Sequence, residues 1–370
     1  MIRFSLARVS GIAGVLLFLV GCAAAPEKPA TGAALPAPPR PAPELAAPAA
    51  APSVPATASA PPATPPPQAL PEAFESEDFV VVFARAGDTA DTLASRFLGD
   101  RAQAWMIEDY NRASAFEAGQ QVVIPKRPWN IAGVEPSGYQ IVPILVYHNI
   151  GSEARGRLVI AAKTFEEQMR YLKTHGYRVV SLKDFLEFTV LKRQLPRKTV
   201  VMTFDDGWKP FREYAYPVLK ELGFSATLFI YTDFVGARLG LSWEELRQLA
   251  RDGFDIEAHS RTHNDMRRRS DESTEEFGRR MQAELVQPLA VFQRQLGQTP
   301  TILAYPYGAH DEVVLGHVKQ AGYVAAFDVR REGNPAFVPV LTMHRSQIYA
   351  DMTLEDFAKN LNVFSDEPIR

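Results

Sequence analysis

Two acidic residues stand side by side in Thr203-Phe204-Asp205-Asp206-Gly207, and two histidines stand four apart in His259-Ser260-Arg261-Thr262-His263. Each group closes a short apolar run, as do Tyr147-His148, Tyr305-Pro306-Tyr307-Gly308 and His344, so four of the seven histidines collect at such ends. Asp206, His259 and His263 make a ligand set for a divalent metal. Two imidazoles four residues apart converge on one ion if the turn after the strand is helical, and a carboxylate then leaves positions open for water and substrate. Asp205 cannot easily reach the same ion along the same vector. It is placed to take a proton from water that the ion acidifies, which is the chemistry of hydrolysis at a carbonyl. Paired acids also serve as turn and helix-cap residues, and the His-x-x-x-His at a second strand end is what separates the two readings.

The elements that hold these residues follow from the hydrophobic pattern. From Val142 onward, apolar runs alternate with amphipathic stretches: Ile144–Tyr147, Val200–Phe204, Ala226–Tyr231, Phe254–Ala258, Ile302–Tyr305, Tyr323–Phe327 and Val340–Met343. Most are continuous rather than alternating, which predicts strands buried on both faces. Thr164-x-x-Glu167 and Ser242-x-x-Glu245 read as capping boxes, and Pro210 suits the first turn of a helix ending at Leu222. Gly176, Gly223, Gly253 and Gly322 each end a helix, with an aromatic residue following. Some seven such units predict an α/β fold, a parallel barrel that is incomplete or distorted, with chemistry where strands end and βα loops begin. Trp243, inside a capping box, reads as packing, as do Tyr349 and Phe357; Arg261 faces either substrate or solvent.

Upstream the composition changes. Arg3 and Arg8 flank the start, and Ile12–Val20 is an apolar core too short to span a bilayer comfortably, so residues 1–21 read as an export signal. It ends in Leu19-Val20-Gly21-Cys22, which resembles the bacterial lipoprotein cleavage box, where the cysteine is lipidated. Cys22 is the sole cysteine, so no intramolecular disulfide can form. Residues 22–74 are rich in Ala and Pro and read as an extended tether. The expectation is a monomer anchored by lipid in the cell envelope and facing the periplasm, with Ala23 suiting the outer membrane of a Gram-negative cell; the alternative is a secreted protein with an incidental cysteine. A net charge of −3 and the lack of any long basic stretch argue against nucleic acid as a partner. Arg267-Arg268-Arg269 reads as a solvated loop or helix start.

Residues 79–128 resemble a LysM module, a βααβ unit that binds N-acetylglucosamine-containing glycans. The likeness rests on Gly87-Asp88-Thr89, the central Asn111 and Gly119-Gln120-Gln121-Val122-Val123-Ile124-Pro125. It implies peptidoglycan as a partner. Thr89-Ala90-Asp91-Thr92 reads as an insertion in the first helix, and a purely structural cap on the next domain is the alternative. The Asp205-Asp206, His259/His263 and Tyr305–Gly308 segments look like the first three motifs of the polysaccharide deacetylases, carbohydrate esterase family 4, within a domain at residues 140–366. That resemblance implies a distorted (β/α)7 barrel removing N- or O-acetyl groups from sugars. It makes Asp205 the general base and gives Asp206, His259 and His263 a divalent metal, zinc first, with cobalt, nickel or iron as alternatives. The backbone amide of Tyr307 would meet the oxyanion. Leu341-Thr342-Met343-His344 matches the last motif, with His344 as general acid, unless it is only a structural histidine.

One position departs from the family pattern. Ala304 stands where an arginine usually orients the base, and Asp328 is the nearest candidate for that arginine's usual aspartate partner. In this the chain is similar to the branch that deacetylates poly-β-1,6-N-acetylglucosamine, as it is in Val146-Tyr147-His148-Asn149-Ile150. His148, Trp208 and Pro306 are candidates for substrate contact, although His148 equally suits a place behind the site and Trp208 a packing role. The substrate class is an N-acetylglucosamine polymer, exopolysaccharide or peptidoglycan. Two competing readings are a catalytically weak wall-binding lipoprotein with the barrel as platform, and a 2-His-1-carboxylate iron oxygenase, in which Asp205 would be idle.

Overall fold

The computed structural model describes residues 73–369. The expected export signal, Cys22 and the expected tether as far as residue 72 lie outside the described residues.

The chain between Ala73 and Pro125 folds around its own core, which includes Val80, Leu93, Ile107, Val122 and Ile124. Strands Phe79–Phe83 and Gln121–Pro125 pair antiparallel, with helices Ala90–Phe97 and Ala104–Asn111 between them in sequence, so the expected βααβ order is present. Asn111 ties the second helix to the second strand: its Nδ2 donates to the carbonyls of Ile107 and Val123, and its Oδ1 accepts from the Val123 amide. One boundary moves. Strand Ala73–Glu75, whose first two residues were assigned to the tether, adds to the sheet beside Phe79–Phe83. Thr89, first of the segment read as an insertion, is the N-cap of the first helix, and Thr92 returns a bond to its amide in a reciprocal capping box.

From Ile144 on, parallel strands form a ring in the order Ile144–Tyr147, Thr199–Asp206, Thr227–Ile230, Asp255–Ala258, Ile302–Ala304 and Ala325–Phe327. The seventh stave is Ser346–Gln347, which pairs with Leu145 and Val146 and reaches Phe327 through a single parallel bridge at Met343. The expected α/β, distorted (β/α)7 barrel is therefore the architecture observed. Val340–Met343 is not the last strand, because the apolar run lies in the turn that precedes it. A short strand, Arg178–Val180, also pairs with the start of Thr199–Asp206. Side chains alternate across each stave: one set packs outward on the helices, while Ile144, Val201, Phe229, Ala304 and Phe327 fill the interior. Helix Leu182–Thr189 puts Leu182, Phe185 and Phe188 into that same inner cluster.

Ser242 caps its helix as expected, with Glu245 closing the box, and Trp243 packs edge-on against Phe292. Thr164 does not cap. Strand Val159–Ala161 runs straight into helix Ala162–Thr174, so the helix has already begun and Ala161 stands at the N-cap without a side-chain bond. Two helices are wound wider than the α form, at Phe211–Ala215 after Pro210 and at Gln282–Val286.

Candidate active site

Strand Thr199–Asp206 is buried along its whole length and delivers both aspartates to the C-terminal end of the barrel. Asp205 continues the inward set and Asp206 turns away, at φ 72°. Such a φ is costly for a residue with a side chain, by about 1–3 kcal/mol. Ser260, His263 and Tyr307 share this left-handed conformation, so four of the six non-glycine residues with positive φ among those described lie in these three motif turns. Backbone strain collects where side chains must be aimed against local preference.

Asp206, His259 and His263 converge, each offering one ligand atom within 4.8 Å of the others. Asp206 Oδ1 lies 3.6 Å from His259 Nε2 and 3.3 Å from His263 Nε2. That oxygen is buried and has no hydrogen-bond partner, an expensive state that a cation between these atoms would relieve. The remaining atoms fit the same purpose. His259 Nδ1 donates to the Ala304 carbonyl at 2.7 Å, which leaves Nε2 as the nitrogen with a free lone pair. Burial pulls His259 below the usual imidazole range, against the opposing pull of Asp205 and Asp206. Asp206 Oδ2 accepts from the Trp208 indole at 2.9 Å. Residues and donor chemistry suit a divalent metal.

Asp205 is gripped from a direction the third motif did not suggest. Arg345, directly after His344, donates through Nη1 to Asp205 Oδ1 at 2.6 Å and through Nη2 to Oδ2 at 2.8 Å. Arg345 is 0% exposed and Asp205 3%. Burial disfavours the Asp205 carboxylate, but Arg345, joined by His259 and His148, outweighs it and holds the group at about 2. Arg345, just before the last stave, thus holds the aspartate that the resemblance would have an arginine at position 304 orient. Asp328 serves both neighbours: its carboxylate takes His344 Nδ1 at 3.0 Å, and its backbone carbonyl takes Arg345 Nε at 3.2 Å. His310, unremarked in the sequence, approaches the other side of Asp328 at 3.7 Å.

The other anticipated residues divide. Tyr307 is 69% exposed and sets its ring edge-on against His263, at 4.7 Å between centroids. Pro306 is buried beneath that turn and offers no face to a substrate. Trp208 is half-buried; besides its bond to Asp206 it packs on Phe234. His148 keeps a buried Nδ1 without a partner and lies close enough to Asp205 to favour its charge. Arg261 is tied to Asp233 and Gln287. Glu284, a buried residue of the wide-wound helix Gln282–Val286, was not anticipated. It accepts from the amides of Arg261 and Thr262 and from the Thr262 hydroxyl, pinning the loop between the two histidines. Its signal was faint: an acid on an otherwise amphipathic helix.

Residues 192–326 match the family model of the polysaccharide deacetylases. The likenesses support the polysaccharide deacetylase family. Asp205, Asp206, His259, His263 and Tyr307 all fall inside the matched stretch, whereas His344 and Arg345 lie beyond it. YxkH of Bacillus subtilis (strain 168), assigned by its name to polysaccharide deacetylases, is 30% identical over 182 residues, 49% of this chain. The poly-β-1,6-N-acetyl-D-glucosamine N-deacetylase of Staphylococcus aureus (strain MRSA252) is 29% identical over 183 residues, 47% of this chain. The match spans 62% of each relative's length. Among solved structures, the Streptococcus pyogenes deacetylase PplD in complex with acetate aligns with a TM-score of 0.55 at 22% identity, covering 61% of this chain and 99% of that one. IcaB from Ammonifex degensii aligns with a TM-score of 0.54 at the same identity and coverage. At this identity the two structures bear on the fold, which they share.

Proposed function

We propose that the chain is a metal-dependent polysaccharide N-deacetylase acting on an N-acetylglucosamine polymer. The observation that carries this reading is a buried carboxylate, clamped in its ionised form by Arg345, beside a convergent Asp206–His259–His263 set with an unpartnered oxygen. When bound there, a divalent ion, zinc by preference, would acidify water and polarise the acetyl carbonyl.

The chain's own residues supply the rest. Asp205 Oδ2 lies 3.8 Å from His259 Nε2 and is the carboxylate oxygen turned toward the ligand set, where it accepts the proton. His344, with Nδ1 held by Asp328, presents Nε2 as the nitrogen that returns a proton to the leaving amine. The Tyr307 turn offers its backbone amide to the oxyanion, and the Tyr307 and Trp208 rings, with His148, border the place of the sugar. The Staphylococcus aureus relatives named for poly-β-1,6-N-acetyl-D-glucosamine, together with Ala304, favour an exopolysaccharide over peptidoglycan. The βααβ unit is proposed to hold the enzyme to wall glycan in the manner of a LysM module, and Cys22 to anchor it by lipid on the periplasmic side of the envelope. A barrel serving only as a binding platform would have no use for the Arg345 clamp.

The test is acetate release by the chain lacking its first 72 residues, loaded with zinc or cobalt. Substrates are β-1,6- and β-1,4-linked N-acetylglucosamine oligomers and peptidoglycan. Chelator-sensitive release from the β-1,6 oligomer is expected. Asp206→Ala should lose metal and activity together, whereas Asp205→Ala should keep metal and lose turnover. Full activity in Asp205→Ala would remove it as the base.

A further inference from the structure

A crevice of about 480 Å3 opens where the βααβ unit meets the barrel. Asp109 and Tyr110, at the end of helix Ala104–Asn111, form one wall; Trp129 of the connecting segment and Gln194 and Arg197 of the loop before strand Thr199–Asp206 form the other. Arg197 precedes that strand and Asp205 lies next to its last residue, so the crevice and the active site lie at opposite ends of the barrel, roughly 25 Å apart along an extended chain. One sugar ring cannot occupy both.

The lining pairs aromatic faces with hydrogen-bonding groups. Tyr110 and Trp129 line the crevice with ring centroids 5.4 Å apart, and behind them, outside the lining, Phe79 packs on Tyr110 at 5.5 Å and Trp105 on Trp129 at 6.4 Å. These rings are only part-covered: Tyr110 is 39% exposed, and Phe79, Trp105 and Trp129 are half-buried. Beside them, Asp109 accepts one bond, from the Arg197 amide at 2.9 Å, and its second oxygen has no partner among the described residues. Gln194 is 7% exposed; its Oε1 takes the amides of Trp129 and Asn130, leaving its NH2 without a partner among the described residues. Arg112 and Arg197 both bind Glu135, which leaves at most one unit of positive charge beside Asp109. Burial pushes Asp109 up to about 7, so near neutral pH it both donates and accepts. Aromatic planes, unspent donors and acceptors, and little net charge suit a neutral ligand that has apolar faces and a polar rim. That describes a pyranose.

We propose that this crevice is a second glycan-binding site, which takes a short neutral segment of N-acetylated amino sugar away from the reacting residue. The choice of amino sugar rests on the substrate proposed above; the crevice does not. Its role is to hold one part of a polymer while another part lies at the barrel's opposite end, which raises the effective concentration of reacting units.

The test uses the full chain carrying Asp205→Asn, so that sugar is not consumed, and calorimetric titration with tetramers of β-1,6- and β-1,4-linked N-acetylglucosamine. Two binding events are expected for at least one tetramer. One of them should disappear in Trp129→Ala and weaken tenfold or more in Asp109→Ala, a variant that removes no aromatic contact. With Asp205 native, Trp129→Ala should release acetate from a short oligomer at the unaltered rate and show a higher KM on polymer. A single event that survives both substitutions would overturn the site, as would capture of unrelated peptides with equal affinity. Failure of the native chain to release acetate would instead sink the deacetylase reading, and the two-event titration would still stand.

Discussion

An arginine in a protein interior is costly unless its donors are met and its charge is balanced, and breaking such a pair by removing one partner costs about 3–5 kcal/mol. Arg345 meets the condition with four bonds, two to Asp205, one to Thr203 Oγ1 and one to the Asp328 carbonyl, and its guanidinium lies 5.1 Å over the Phe229 ring. The fork fixes both carboxylate oxygens at once, which a lysine cannot do. Arg345→Lys is therefore expected to keep its metal and a similar KM while kcat falls by roughly 10²-fold, the scale of a misplaced catalytic group. Arg345→Met should lose about 3–5 kcal/mol of stability, read from urea midpoints. The sign of the pH effect follows from the depressed pKa. In the native chain Asp205 adds stability that is present above the ordinary carboxylate range and lost as pH falls toward about 2. Without Arg345, burial dominates and the carboxyl protonates at higher pH, so the acid limb of kcat/KM should move upward. A pH–rate profile identical to that of the native chain would refute this account of the clamp.

At the scale of elements, the loop that carries both histidines is held by a helix whose winding widens at Gln282–Val286 and brings Glu284 to the Arg261 and Thr262 amides. Glu284→Ala should lower metal affinity about 10–100-fold in competition with a chelator, as loss of a residue supporting the ligands does. Glu257, two residues before His259, accepts the amides of Thr301 and Ile302, yet burial outweighs those bonds and pushes it up to about 8. A raised carboxyl gives stability that is full below its unfolded pKa and lost as pH rises through the folded one. Glu257→Gln should thus match the native chain near pH 4 and exceed it above pH 8, by on the order of 2–4 kcal/mol; equal thermal midpoints at high pH would contradict it. These cases also mark what could be read beforehand. Buried parallel staves are continuous apolar runs, so six were legible, and motif residues at their ends came with them. Ser346-Gln347 is polar and short while Val340–Met343 is apolar, so the last stave was misplaced. Winding of the wide type has no residue signature, which hid Glu284. The Asp205–Arg345 pair joins residues 140 apart, and only closure of the ring at Met343 brings them together.

For the whole molecule the question is whether the βααβ unit and the barrel unfold together. The unit's apolar cluster is separate from the two clusters of the barrel. Apart from the contacts of Trp129 with Tyr110 and Trp105, what crosses the seam is polar: Arg178 to Glu108, Arg112 and Arg197 to Glu135, and the Arg197 amide to Asp109. The ion pairs are part-exposed, and such pairs contribute about 0–1 kcal/mol each. A unit of this size rarely draws more than about 3–5 kcal/mol from its own core. The barrel, with its far larger core, should outlast it. Urea unfolding is therefore expected to show two transitions, with Trp105 and Trp129 reporting the first in a chain carrying Trp208→Phe and Trp243→Phe, and far-UV circular dichroism following mostly the second. Oligosaccharide bound in the crevice touches both sides of the seam, so it should raise the midpoint of the first transition by mass action and draw it toward the second. Coincident midpoints without sugar would mean that the seam carries more free energy than its visible contacts, and the polar account of it would fail. Separate midpoints that sugar leaves unmoved would instead place any bound glycan on one side of the seam alone.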